Sequence, residues 1–207
     1  MVDKYQSMTQ LFQYNQEYED YCIECVDNSS TNLITAVHGG AIERGTSELA
    51  QLIARKGEFS FYTFKGCKRN KNNELHVTSR HFDEPQLLQM VRRKKHVLSI
   101  HGCNGKKEVI YIGGRDEELK AKLAQAFTDI GITVAPAPQH MSGIHKDNFV
   151  NQSTTSKGVQ LEITVALRKK LFKNNKFNLY DREDETNWSP RMHELANTCA
   201  EILRQLK

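Results

Sequence analysis

Two histidines in this chain each follow an apolar segment and precede glycine, and that placement suits a catalytic metal site. The first stands in Val37-His38-Gly39-Gly40-Ala41-Ile42-Glu43-Arg44-Gly45-Thr46, after the apolar run 33–37. The second closes Ser99-Ile100-His101-Gly102, after the run 96–100. Such runs read as buried strands. The glycines let the backbone turn sharply and approach a ligand. Open α/β sheets collect their ligands at the carboxyl ends of strands. His38, His101 and Glu43 together offer two ring nitrogens and a hard oxygen, a common catalytic zinc set with its fourth position open.

A further carboxylate, Glu162, sits in Gly158-Val159-Gln160-Leu161-Glu162-Ile163. Strand alternation puts it on one face with Gln160, which suits a solvent face. A carboxylate in an otherwise apolar strand also suits a general base facing the metal, where a partner offsets the cost of burial. His140 and His145, in the long loop 136–157, are candidates for substrate contact or for plain exposure. Other chemistry-bearing motifs fail. His193-Glu194-Leu195-Ala196-Asn197 lacks the second histidine of a zincin helix, and no GxSxG, Walker A or GxGxxG pattern occurs.

The positioning elements alternate between strands and helices. Segments 21–26 and 33–37 read as strands joined through Asp27-Asn28-Ser29-Ser30, which predicts a hairpin. Thr46 is the expected cap of a helix carrying Glu48, Leu49, Leu52 and Ile53. A third strand covers 58–64 and ends at Gly66. Asp83 is the expected cap of a helix through Leu87, Leu88 and Val91. Strands follow at 96–100 and 109–112. Asp116 opens a helix with Leu119, Leu123, Phe127 and Ile130 on one face, stopped by Gly131. A short strand at 132–135, the long loop, and a strand at 159–164 running into a helix at 166–172 come next. Ser189-Pro190 starts a final helix whose apolar stripe is Met192, Leu195, Cys199, Ile202, Leu203 and Leu206. The pattern predicts a single α/β domain over 1–207, with a mixed parallel and antiparallel sheet flanked by helices.

The bulk composition excludes several classes. The 207 residues are 38% hydrophobic and 26% charged, with a net charge of +4 and no apolar run of membrane-spanning length. The N-terminal stretch has no signal-peptide core, so a cytoplasmic location is expected. Five cysteines suit a reduced protein. Cys22 and Cys25 form a lone CxxC on a predicted strand, whose opposite faces would receive the two thiols, so neither a zinc ribbon nor a redox pair is expected there. Nucleic-acid binding would need a basic stripe with interleaved aromatics, and only Arg92-Arg93-Lys94-Lys95 and Arg168-Lys169-Lys170 occur, as short clusters.

At these residues the chain resembles the phage-type poly-γ-glutamate hydrolases of bacilli and their phages. The resemblance rests on His38-Gly39-Gly40-x-Ile42-Glu43-x-Gly45-Thr46, Thr78-Ser79-x-x-Phe82-Asp83-Glu84-Pro85 and Ser99-Ile100-His101-Gly102. It continues through Tyr111-Ile112-Gly113-Gly114, Asn148-Phe149-Val150-Asn151 and Gly158-Val159-Gln160-Leu161-Glu162, in one order over about 20–170. Gln152 stands where the family pattern has a basic residue. The resemblance implies a fold similar to zinc carboxypeptidases, although the His38-to-Glu43 spacing is wider than theirs. It implies Zn2+ held by His38, Glu43 and His101, with Glu162 as catalytic acid and base, cleaving the γ-amide links of poly-γ-glutamate.

Arg80, Arg115 and Arg168 are then candidates for oxyanion stabilisation, with Arg168 ranked first, and for pairing with substrate carboxylates. His76, Thr78 and Ser79 are expected to add substrate hydrogen bonds. The chain is read as a monomer with no membrane or nucleic-acid partner, acting in the cytoplasm or outside the cell after lysis. A zinc amidase for small N-acyl-glutamate or γ-glutamyl substrates is the nearest alternative. A replication accessory protein that binds nucleic acid is the alternative of a different class.

Overall fold

Every residue of the strand Asn32–Gly40 (β2) is buried. A strand covered on both faces belongs in the middle of a layered sheet. The computed structural model of the chain, which describes residues 3–206, places it there. Seven strands form one mixed sheet in the order β1-β3-β2-β4-β7-β5-β6. The others are Tyr21–Val26 (β1), Ser60–Gly66 (β3), His96–Cys103 (β4), Val109–Gly114 (β5), Thr133–Pro136 (β6) and Val159–Thr164 (β7). Strands β3, β2, β4 and β7 run parallel, while β1 and β5 run antiparallel to their neighbours β3 and β7. The mixed α/β architecture is the one expected.

The predicted hairpin of the first two strands does not form. β1 pairs with β3, and β2 lies on the far side of β3. β1 is half exposed and suits an edge, whereas β2 needs a neighbour on each side. The turn-rich segment after β1 therefore crosses beneath β3 instead of reversing beside it. Buried Lys94 anchors that crossing, donating to the carbonyls of Asn28 and Ser30 and to Ser60 Oγ at 2.7–3.0 Å.

One face of the sheet is covered by helices Thr46–Gly57 (α2), Glu117–Asp129 (α4), Val165–Lys170 (α5) and Pro190–Arg204 (α7). The other carries Met8–Tyr14 (α1), Pro85–Val91 (α3) and long connections, packed through Leu11, Leu87, Phe82 and Phe149. Leu179–Glu183 (α6) lies in the connection before α7. Asp116 and Ser189 cap their helices as expected. Two other caps differ. Gly45 precedes α2 with no side-chain cap, and Thr46 Oγ1 donates to the Glu43 carbonyl at 2.8 Å. Glu84 caps α3, while Asp83 turns away to accept from Met8 N and Thr9 N of α1. No helix among the described residues is long and apolar enough to cross a membrane.

One buried ion pair ties α6 to α2, and its arginine also reaches the end of β2. Arg182, 1% exposed, donates to Glu48 Oε1 at 3.1 Å, to Gly40 O at 3.1 Å and to Phe177 O at 2.9 Å. Removing one partner of such a pair leaves an uncompensated charge. Arg182→Met should therefore lower unfolding stability by about 3–5 kcal/mol in urea titration. A loss below about 1 kcal/mol would show that this contact does not hold the turn.

Candidate metal centre

The carboxyl ends of the parallel strands supply the site. An irregularity in β2 between Ala36 and Gly39 adds one residue opposite β3. A bulge of this kind re-aims a side chain, and His38 turns onto the face that carries His101. On β4, alternation puts Ser99 and His101 together on that face. Gly40, at φ +62°, then turns the chain where an added Cβ would lie 2.6 Å from Gly66 O. The turn brings Glu43 back toward His38, with Glu43 N bonded to His38 O at 2.8 Å.

The donor atoms converge. His38 Nδ1 lies 3.3 Å from Glu43 Oε1 and 3.2 Å from His101 Nδ1, and His101 Nδ1 lies 3.7 Å from Glu43 Oε2. Gly102 N donates to Glu43 Oε2 at 2.8 Å. The opposite ring atoms decide the tautomers. His38 Nε2 meets Val77 O at 2.8 Å, and a carbonyl only accepts, so in the neutral ring Nε2 carries the hydrogen and Nδ1 a lone pair. The Ser99 hydroxyl lies 2.9 Å from His101 Nε2 and can accept from it, which turns the His101 Nδ1 lone pair inward. Two lone pairs at 3.2 Å beside a carboxylate repel unless a proton or a cation lies among them. Two ring nitrogens and a carboxylate therefore fit a divalent transition metal.

His76 adds a donor that the sequence reading placed only on the substrate side. Its ring stacks on His38 with centroids 4.0 Å apart, and its Nε2 lies 3.9 Å from Glu43 Oε1. His38, Glu43 and His76 each offer one ligand atom within 4.8 Å of the others. Asp3 holds His76 in place, accepting at 2.7 Å from Nδ1 and also from Thr78 N at 2.7 Å. Sequence reasoning missed Asp3, because nothing local links residues so far apart. Ser99 was detectable as the same-face neighbour of His101.

Charge at the site is mutually adjusted. Burial alone would raise the Glu43 carboxyl, but the His38 and His101 imidazoles hold it well below the usual range. Burial opposes the charged form of His38, and the Glu43 carboxylate outweighs that and raises it. The His38 charge and burial lower His76 to about 4. Burial raises Glu162 above an ordinary carboxylate, with His101 acting against it.

Glu162 and Gln160 do share a face, and it is not a solvent face. Both are buried where the loop 137–157 covers β7. Gln160 Nε2 donates to Glu162 Oε1 at 3.1 Å and to Met141 O at 3.0 Å, while its Oε1 accepts from Asn148 Nδ2 at 3.0 Å. Glu162 also sits directly beside His101 across the β4–β7 ladder. It lines a cleft of about 890 Å³ together with His38, Glu43 and His101.

Arg168, 6% exposed, lines the same cleft and bonds through Nε to Ile163 O, through Nη1 to Arg44 O and through Nη2 to Cys103 O. An added Cβ at Gly102 would fall 2.5 Å from its guanidinium carbon. His76, Thr78, Ser79, Arg80, His140 and His145 line the cleft as well. Arg80 is paired with Asp147 at 2.7–3.0 Å and so staples the loop to the opposite wall. Arg115 lies elsewhere, exposed beside Gly158. Because β5 runs antiparallel to β7, its carboxyl end lies at the start of β7.

A family model described as poly-γ-glutamate hydrolase matches residues 5–198. The UPF0714 protein YndL of Bacillus subtilis (strain 168) is 35% identical over 172 residues, 82% of this chain and 67% of that protein. The solved structure of a bacteriophage poly-γ-glutamate hydrolase matches with a TM-score of 0.92 at 30% identity, covering 97% of this chain and 96% of that one. A zinc-free apo structure of YndL matches with a TM-score of 0.90 at 32% identity, covering 99% and 98%.

The low pKa of His76 has a consequence for the metal-stripped protein. Between about 6.5 and about 4 the unfolded chain binds a proton at this ring that the folded chain does not. Its contribution to stability therefore falls as pH drops through that window. In chemical denaturation at about pH 7 and about pH 4, His76→Asn should lose less stability over the interval than the unaltered chain. Equal losses would contradict a ring held neutral in the folded chain.

Proposed function

Since the chain belongs to the poly-γ-glutamate hydrolase family, we propose that it is a zinc-dependent hydrolase of the γ-glutamyl amide bonds of that polymer. The observation that carries this reading is the meeting of His38, Glu43 and His101 beside a buried Glu162 in one open cleft. His38 and His101, through Nδ1, and Glu43, through its carboxylate, would hold the zinc. When bound, zinc lowers the pKa of a water from about 15.7 toward about 7 and polarises the amide carbonyl.

The remaining work falls to the chain's own groups. Glu162 takes the proton of the attacking water and passes it to the departing amine nitrogen. Gln160 occupies Oε1, which leaves Oε2 as the atom that carries the proton. The raised pKa of Glu162 suits a group that must both accept and return it. Arg168 keeps its guanidinium fixed on three backbone carbonyls and turns its free N–H groups to the oxyanion. Prior fixation matters because a preorganised donor needs no rearrangement when charge develops. Thr78 and Ser79 offer hydroxyls to the α-carboxylates of the polymer, and His140 and His145 offer rings along the same wall.

Glu162→Gln should retain stoichiometric zinc and lose about 100- to 10,000-fold in polymer hydrolysis. In equilibrium dialysis, His101→Ala should lose the zinc while His76→Ala keeps it. Near-normal hydrolysis by Glu162→Gln would remove Glu162 from the reaction. Zinc loss in His76→Ala with retention in His101→Ala would move the ligand set to His38, Glu43 and His76.

A further inference from the structure

We propose that Cys22 and Cys67 form a covalent modification site, closing a reversible disulfide on exposure to a low-molecular-weight disulfide. The inference is independent of the hydrolase reading. The lone CxxC motif does not carry it. Cys25 lies on the opposite side of β1, where its sulfur accepts from Gln86 Nε2 at 2.9 Å. The partner of Cys22 is instead Cys67, distant in sequence, whose sulfur lies 3.5 Å away.

The ladder explains the meeting. Tyr21 pairs with Gly66, the last residue of β3, and Cys67 N donates to Asp20 O at 2.8 Å. Cys67 thus sits just past the strand end, next to the edge strand, with its side chain exposed. A disulfide needs the sulfurs at about 2.0 Å, so the closure required is small.

Reactivity is divided between the two thiols as exchange requires. Cys67 is exposed, and the Cys22 hydrogen bond and the Lys65 ammonium lower its thiol to about 7 against the effect of burial. The same contact and burial push the half-buried Cys22 up. Cys67 is therefore the attacking thiolate and Cys22 the resolving thiol. Of the other thiols, Cys199 is buried against the helical core and Cys103 is half-buried, its thiol raised by burial to about 11.

The step balances. The Cys67 thiolate attacks one sulfur of the small disulfide, whose S–S bond breaks and releases one thiol. Cys22 gives up its proton and attacks the Cys67 sulfur, and the second small thiol leaves. Two protein thiols are oxidised and one small disulfide is reduced. The new bond would fasten β1 to the end of β3, where Gly66 O accepts from Ala41 N at 3.0 Å and supports the turn that carries Glu43.

The test treats the full chain with oxidised glutathione, alkylates free thiols, and maps unreduced peptides by mass spectrometry. Cleavage after Glu24 separates Cys22 from Cys25. The expected product is a Cys22 peptide joined to a Cys67 peptide, two hydrogens lighter than their sum and separated again by dithiothreitol. Cys22→Ser should hold glutathione on Cys67, because the resolving thiol is missing. Alkylation of both Cys22 and Cys67 after oxidation would overturn the proposal. So would a glutathione adduct that persists on Cys67 beside a free Cys22.

Discussion

A carboxylate set among imidazoles, Glu43 against His38 and His101, is the interaction around which the rest of this structure is arranged. Removing a carboxylate from water is costly unless charge and hydrogen bonds replace the solvent. Here the replacements come from two separate segments: the bulged end of β2, which brings His38, and the end of β4, which brings both His101 and the Gly102 N–H. Each needs its own support. Val77 and Ser99 orient the rings, Gly40 permits the turn, and Arg182 fixes the carbonyl of that same glycine from behind. Loosening any one of these would leave a buried charge facing unmatched partners.

The second carboxylate is handled differently. Glu43 is held strongly ionised by its neighbours, whereas burial pushes Glu162 toward its protonated form. Two carboxylates in one cleft with pKa values driven apart suit the division between charge stabilisation and proton transfer that the proposed hydrolysis requires. The cover over Glu162 is the loop 137–157, pinned by Gln160 and by the Arg80–Asp147 pair. That loop both covers Glu162 and forms one wall of the cleft.

Much of this was legible in the residues. Helices α4 and α7 carried their apolar stripes and caps openly, in Asp116 and Ser189. The His-Gly pairs correctly marked strand ends. What failed depended on tertiary context. The turn-rich 27–30 segment suggested a hairpin, but turn chemistry does not say which strand will be the neighbour. The unbroken apolar character of β2 was the better guide. Asp83 had the chemistry of a cap and serves α1 instead of the helix that follows it. Strand alternation paired Glu162 with Gln160 but could not say what covers their face. Arg115 was drawn to the site by its motif, and strand direction places it at the other end of the sheet. His76 became a candidate ligand through its approach to His38 and Glu43, with Asp3 holding the ring, and none of these contacts has a local signature.

The chemistry we propose for this cleft is hydrolysis of poly-γ-glutamate through a metal held by its histidines and Glu43. The most direct measurement follows polymer size during incubation with untreated, chelator-stripped and zinc-restored protein. Shortening should disappear on stripping and return with zinc. Equal shortening by the stripped protein, or none by protein with zinc bound, would contradict it.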